Sequence, residues 1–308
     1  MPDITIRDAH YAELPEMARL MAAAFRDDNL FGAHIHPHRG QHPDDMHLYW
    51  LRRLRVNFWD WRYVFLVAVR QTDDPSSSSA TGPEELIVGV ALWTRLGDGG
   101  RALELWPFDP RNLMKPLSAT AMALHAYLWP NRAADPARED AIERAYPCFG
   151  PPAWAGARAE SWYLDVLAVH PERQGGGVGR RLVAWGLERA QRDGVVASVV
   201  SAWKMDGFYE RCGFNEQHGN ATSGKGNPLK GIDGGNMFWR WPEERTTLYN
   251  STPFTACSTL CHPVTRPPPA PRGIHAKRRR ISEETQDTDA DDDYYEDEIA
   301  LGKPLLDK

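Results

Sequence analysis

Along the first 245 residues the spacing of apolar positions changes period several times, and each change marks an element. Ile4 and Ile6 alternate with polar neighbours in "ITIRDA", which predicts a first strand. In "YAELPEMARLMAAAF", Leu14, Met17, Leu20, Met21 and Ala24 recur at the intervals of one helix face. A second helix is predicted across "PDDMHLYWLRRLRVNF", with Asp44 or Asp45 at its start to accept backbone N–H groups. The period then shortens: "YVFLVAVR" and "ELIVGVALWTRL" are rich in β-branched and aromatic residues. With the flexible "QTDDPSSSSATGPEE" between them, they read as a hairpin with an enlarged loop. Residues 98–160 read as an insertion, with helical pieces "LSATAMALHAYLW" and "REDAIERAY" followed by the proline-rich "CFGPPAWAG". Beyond it, "SWYLDVLAV" predicts another strand.

After residue 245 the pattern disappears. Residues 246–308 show no sustained apolar periodicity, and proline, threonine and blocks of charge dominate. Little apolar area is available there to offset the entropy of ordering, so a disordered low-complexity tail is expected. From His275 onward, 6 Lys+Arg face 11 Asp+Glu, a balance of −5 within a net charge of −6 for the chain. The folded part is therefore nearly neutral, which does not favour nucleic-acid binding. A hydrophobic content of 42% in 308 residues is enough for a sizeable core. No apolar run reaches 18 residues and no amino-terminal signal core is present, so a soluble, cytoplasmic chain with no membrane partner is expected. Lys277–Arg280, "KRRR", offers a basic cluster that nuclear import machinery could read. Arg279, Arg280 and Ser282 form a basophilic kinase pattern. The spacing of Cys148, Cys212, Cys257 and Cys261 matches neither paired zinc knuckles nor a secreted disulfide framework.

The most specific chemistry lies in "VHPERQGGGVGRRLVAWGLERA". Gln174, Gly175, Gly176, Gly177, Val178 and Gly179 leave a strand and enter a helix whose apolar face is Val178, Leu182, Val183, Gly186, Leu187 and Ala190. The unpaired N–H groups and macrodipole of a helix start attract a phosphate, and glycine lets it approach the backbone. A P-loop would need Lys-Ser/Thr where Arg180 and Arg181 stand, and a Rossmann fingerprint would need different glycine spacing earlier in the chain. The pyrophosphate of coenzyme A is the remaining ligand.

"LAVHPERQGGGVG" resembles motif A of the GNAT superfamily of N-acetyltransferases, its Gln/Arg-x-x-Gly-x-Gly/Ala signature matched by Gln174, Gly177 and Gly179. "FYERCGF", Phe208 to Phe214, is similar to the family's motif B. The run "GFYERCGFNEQHGNATSGKGNPLKGIDGGNMFW" further resembles a fungal branch. The resemblance implies an α/β (α+β) fold, with helices on both faces of a mixed sheet splayed between its fourth strand, Trp162–Val169, and its fifth, about Val195–Trp203. It implies acetyl-CoA as cosubstrate, with the backbone of Leu167 and Val169 pairing the pantetheine amides and the amides of Gln174 to Gly179 holding the pyrophosphate. A strand-four N–H would steady the oxyanion. It also implies that Tyr209 protonates the departing thiolate. "SAWKMDGFY" departs from the family by displacing Gly207 toward the aromatic pair, which bears on the motif B cofactor contacts.

Alkylamines are largely protonated at neutral pH, so a base must take a proton first, and Asp165 at the middle of strand four is the candidate. A bulge or solvent-facing position is the bland alternative for Asp165, and a core aromatic for Tyr209. A covalent route is disfavoured because neither Cys148 nor Cys212 sits in a His/Asp arrangement. His34, His36, His38, His42 and His47 crowd the first interhelical connection, where alternate histidines of an extended segment would share one side. Substrate contact is preferred to a metal there, and no metal is assigned. "WPFDPRNLMKPL" and "PCFGPPAW" suggest a shaped pocket and a small amine acceptor. The alternatives are a protein lysine or N-terminal acetyltransferase, another acyl chain on the same carrier, and a catalytically lapsed acyl-CoA-binding module.

Overall fold

The computed structural model describes residues 4–72, 84–99 and 108–243. The hairpin loop and the tail expectations, including Lys277–Arg280, lie outside the described residues. Seven strands form one sheet in the order β1-β2-β3-β4-β5-β7-β6. They are β1 Ile4–Asp8, β2 Tyr63–Thr72, β3 Glu84–Leu96, β4 Ser161–Val169, β5 Val196–Ala202, β6 Glu216–Asn220 and β7 Gly234–Arg240. Strands β1 to β4 pair antiparallel with their neighbours, β4 pairs parallel with β5, and β7 runs antiparallel to both β5 and β6.

Helices cover both faces. On one face α1 (Leu14–Ala24) and α2 (Met46–Asn57) bury Leu14, Met17, Met21, Trp50 and Leu54 against Phe65, Val67, Val90, Leu92, Val166 and Ala168. On the other, α5 (Val178–Asp193) buries Val178, Leu182, Val183, Leu187 and Ala190 against Leu66, Ala91, Trp93, Leu164 and Val199. The sides chosen follow the strand alternation, since successive residues of a strand point to opposite faces. Trp93 sinks into α5 because Gly186 has no side chain: a Cβ there would lie 2.1 Å from Trp93 Cε2. The Trp93 indole N–H donates to Leu182 O at 3.3 Å.

Two further helices precede β4: α3 (Arg111–Leu128), which lies along α2, and α4 (Ala141–Ala153). Helix α4 with Trp154 covers the far half of the sheet on the α1/α2 face, packing Trp154, Tyr146 and Phe149 with Tyr163, Val196, Met237 and Trp239. The 221–233 connection meets α4 from the other side, where Leu229 and Ile232 pack with Ala141, Ala145, Phe149 and Leu30. Among the described residues no helix is long and apolar enough to cross a membrane.

Three local expectations need correction. Asp45 precedes α2 but makes no side-chain cap; its carboxylate is engaged by the Arg132 side chain at 2.7 Å and the Arg132 backbone N–H at 3.1 Å. The proline-rich stretch after "REDAIERAY" does not leave the helix: α4 runs through Pro147, Pro151 and Pro152 to Ala153. Its face of Ala141, Ala145, Gly150 and Ala153 is buried, so packing outweighs the missing N–H groups. The histidine-rich connection is not extended: residues Asn29–Ile35 form a π-helical turn capped by Asp28, which accepts from the N–H groups of Leu30 and Phe31.

Candidate active site

The parallel pairing of β4 and β5 is short. It runs from Ser161 opposite Val196 to Leu164 opposite Val199, after which β5 continues with β7 alone. The second half of β4, Asp165–Val169, therefore keeps β3 on one side and presents an open edge on the other. His170 N–H donates to Val88 O at 3.0 Å, so by alternation His170, Ala168 and Val166 point their backbone groups toward β3. The backbone groups of Leu167 and Val169 point into the opening. These are the two positions whose backbone the family resemblance aims at pantetheine.

At the end of that edge stands the glycine loop. Gly175 and Gly177 adopt φ +80°, a left-handed backbone that glycine takes without strain, and Gly177 caps α5. Gly179 is closely packed: an added Cβ would lie 3.3 Å from Phe208 Cζ, so that ring would have to shift slightly, and 3.6 Å from Val169 Cγ2. The first helical bond of α5 is Arg181 N–H to Gly177 O at 3.2 Å, and among the described residues the amides from Gly175 to Arg180 meet no backbone acceptor. Six consecutive N–H groups, on exposed backbone except at Val178 and Gly179, thus remain available at the positive end of a 16-residue helix. Gln174 differs from expectation: its N–H reaches Pro171 O at 3.4 Å, while its side-chain amide donates to Val169 O at 3.2 Å. Arg180 N–H, which the motif did not single out, takes its place in the series.

Asp165 is the first residue past the last β4–β5 pair. The β3–β4 register shifts there, because Leu92 faces Val166 and Trp93 faces Leu164, leaving Asp165 as the extra residue of a β-bulge. The bulge reading of Asp165 therefore holds, and the bulge sits where the sheet opens. Half-buried Asp165 is pushed up to about 6 by burial, against the opposing pull of Arg53 and a hydrogen bond from Tyr63. Arg53 comes from α2 and forms an ion pair with Glu143 of α4, so the two helices are tied together beside the bulge. Tyr63, Thr94 and Tyr163 lie in register across β2, β3 and β4 next to it. Burial raises the phenols of Tyr63 and Tyr163 above their ordinary values.

Tyr209 lies on α6 (Asp206–Cys212), buried between Phe208 and Phe214, with ring centroids 5.2 and 5.9 Å away. It is a core aromatic by packing, and burial holds its phenol protonated well above the usual range. Phe208, its neighbour, is the ring that Gly179 admits, so α6 touches the start of α5. Gly207 falls inside α6, where an added Cβ would meet only Arg211 Nη1, at 3.2 Å.

The histidines do not converge. His36 is fully buried, its Nδ1 2.5 Å from Phe31 O and its Nε2 3.1 Å from Asn131 Nδ2, edge-on to Tyr49. Its burial lowers its basicity, and it pins the segment before α4 to the α1–α2 connection. Among the described residues no group of three His, Cys, Asp or Glu could hold a metal ion. Cys148 and Cys212 are free thiols, and burial pushes the Cys212 thiol up, away from a reactive thiolate.

Residues 147–216, which include β4, the glycine loop, α5, β5 and α6, match the family model of the acetyltransferase (GNAT) domain. The segment from the end of α4 to the start of β6 thus resembles that domain, and the parallel β4–β5 pair that parts after Leu164 lies within it. Among solved structures the chain is similar to a histone acetyltransferase HPA2-related acetyltransferase from Corynebacterium glutamicum, at 20% identity and TM-score 0.46, covering 80% of this chain and 99% of that one. A GNAT family acetyltransferase from Brucella melitensis, solved with acetyl-CoA, aligns at 15% identity and TM-score 0.33 over 70% of this chain and 85% of that one. An acetyltransferase of the GNAT family from Staphylococcus aureus aligns at 11% identity and TM-score 0.37, over 78% and 100%. The residues present fit a diphosphate: Gly175, Gly176 and Gly177 are exposed, and a Cβ built on Gly175 or Gly177 would meet nothing within 4 Å, so nothing crowds the loop there.

Proposed function

We propose that the chain transfers the acetyl group of acetyl-CoA to the amine of a small molecule by direct attack within a ternary complex. The amides of Gly175 to Arg180 hold the diphosphate, and the backbone of Leu167 and Val169 pairs with the pantetheine arm; the Gln174 side chain steadies the Val169 carbonyl. In the transfer the amine nitrogen bonds to the thioester carbon and the carbon–sulfur bond breaks. The proton leaving nitrogen passes to the Asp165 carboxylate, and sulfur receives a proton from the Tyr209 phenol. A carboxylate poised near 6 suits the first task, because it is ionised at neutral pH yet more basic than an exposed one. A phenol held protonated suits the second.

The observation that carries this reading is the run of six unpartnered amides at the mouth of the β4–β5 opening. The small-molecule acceptor draws support from the inserted helix α4, which packs with Leu229, Ile232 and Leu30 and reaches Arg53 beside the bulge, so that side of the sheet is built up rather than flat. Coenzyme A release measured against a panel of small amines and histone-like peptides tests it. Turnover of small amines with intersecting initial-velocity lines is expected. Saturable acetyl-CoA binding without turnover on any acceptor would favour a lapsed binding module, and parallel lines would favour a covalent route.

A further inference from the structure

Resting on that reading of Asp165 and its ternary complex, the structure points to the acceptor's chemistry. We propose that Glu143, delivered by α4, selects the acceptor, and that the acceptor is a small molecule with a second cationic nitrogen besides the amine that is acetylated. Four observations converge beside the bulge. The charge of Arg53 is already matched, since its Nη2 donates to Glu143 Oε1 and its guanidinium lies 4.4 Å above the Tyr49 ring. The other oxygen of that carboxylate, Glu143 Oε2, is buried without a hydrogen-bond partner among the described residues. Tyr49, 3% exposed, also buries its hydroxyl without a partner. Asp165 lies within electrostatic reach of Arg53, Glu143 and Tyr49, so with Asp165 ionised one negative charge is left over.

The unsatisfied groups are thus a carboxylate oxygen, which can only accept, and a phenol hydroxyl, which can accept as well as donate. A buried acceptor without a donor costs free energy until a ligand supplies one. An ammonium supplies donors and charge together. An acceptor with a carboxylate would meet the excess negative charge, with the Arg53 guanidinium already engaged by Glu143. The reacting amine sits at Asp165 and the second cation at Glu143.

Initial rates with putrescine, butylamine and γ-aminobutyrate, on the full chain with saturating acetyl-CoA, test this. In the wild type the KM for putrescine is expected about tenfold or more below that for butylamine, the range that a charge-assisted hydrogen bond supports, with γ-aminobutyrate poorest. Glu143→Gln should collapse the putrescine-to-butylamine ratio, and Glu143→Asp should restore part of it. Equal KM values for putrescine and butylamine in the wild type, or an unchanged ratio in Glu143→Gln, would overturn the inference while leaving the transferase reading intact. Turnover of none of the three despite acetyl-CoA binding would overturn both. The wild-type ratio decides by itself should Glu143→Gln fail to fold.

Discussion

Asp165→Asn should make the folded chain more stable at pH 8 while slowing its reaction. Burial pushes the Asp165 carboxyl up to about 6 from an ordinary 3.8. The folded state therefore keeps this proton to a higher pH than the unfolded chain does, and the wild type loses stability as pH climbs from about 4 to about 6. That separation corresponds to about 3 kcal/mol at most, and solvent screening at a half-buried group brings it nearer 2. Asparagine is almost isosteric, can still accept from Tyr63, and has no charge to desolvate. Its advantage should be absent near pH 4 and complete above pH 7. Urea unfolding of both proteins at the two pH values reads the difference as a shift of midpoint at constant slope. The same variant should lose about 100-fold to 10,000-fold in kcat/KM if the carboxylate takes the amine proton. The wild-type profile should fall away on the acid side of about pH 6. A variant no more stable at pH 8 than at pH 4, relative to wild type, would refute the burial argument. A variant that is stabilised yet fully active would leave Asp165 as a bulge residue without a part in the chemistry.

Other substitutions separate packing from chemistry. Gly186→Ala places a Cβ 2.1 Å from Trp93 Cε2 and should destabilise the fold by about 1–3 kcal/mol, measured as a lower urea midpoint. Tyr209→Phe keeps the ring contacts to Phe208 and Phe214, so it should leave acetyl-CoA affinity intact and lower kcat, as stopped-time assays and calorimetry together would report. Cys212→Ala should leave turnover unchanged, and a burst of acetylated enzyme from the wild type would contradict direct transfer.

The parts of the molecule written in local pattern were legible in its sequence. The period of Leu14, Met17 and Met21, the β-branched hairpin strands and the glycines before Val178 each specify their element without distant contacts. What was hidden depends on tertiary partners. Asp45 reads as a cap until Arg132, 87 residues away, takes its carboxylate. The prolines of α4 read as a break, yet the buried face from Ala141 to Ala153 holds the helix through them. His36 reads as one of a row until the π-helical turn carries it inward to Asn131. Glu143 carried no motif; only the meeting of α2 with an inserted helix brings it to Arg53 and the bulge.

The proposed function requires the backbone nitrogens at the start of α5 to bind the diphosphate of acetyl-CoA, and amide chemical shifts test that requirement most directly. On titration of the labelled full chain with coenzyme A, the N–H resonances of Gly175 to Arg180 should move together and saturate, while pantetheine, which has no diphosphate, should move Leu167 and Val169 and leave the loop still. Saturation by coenzyme A with those six resonances unmoved would contradict the account.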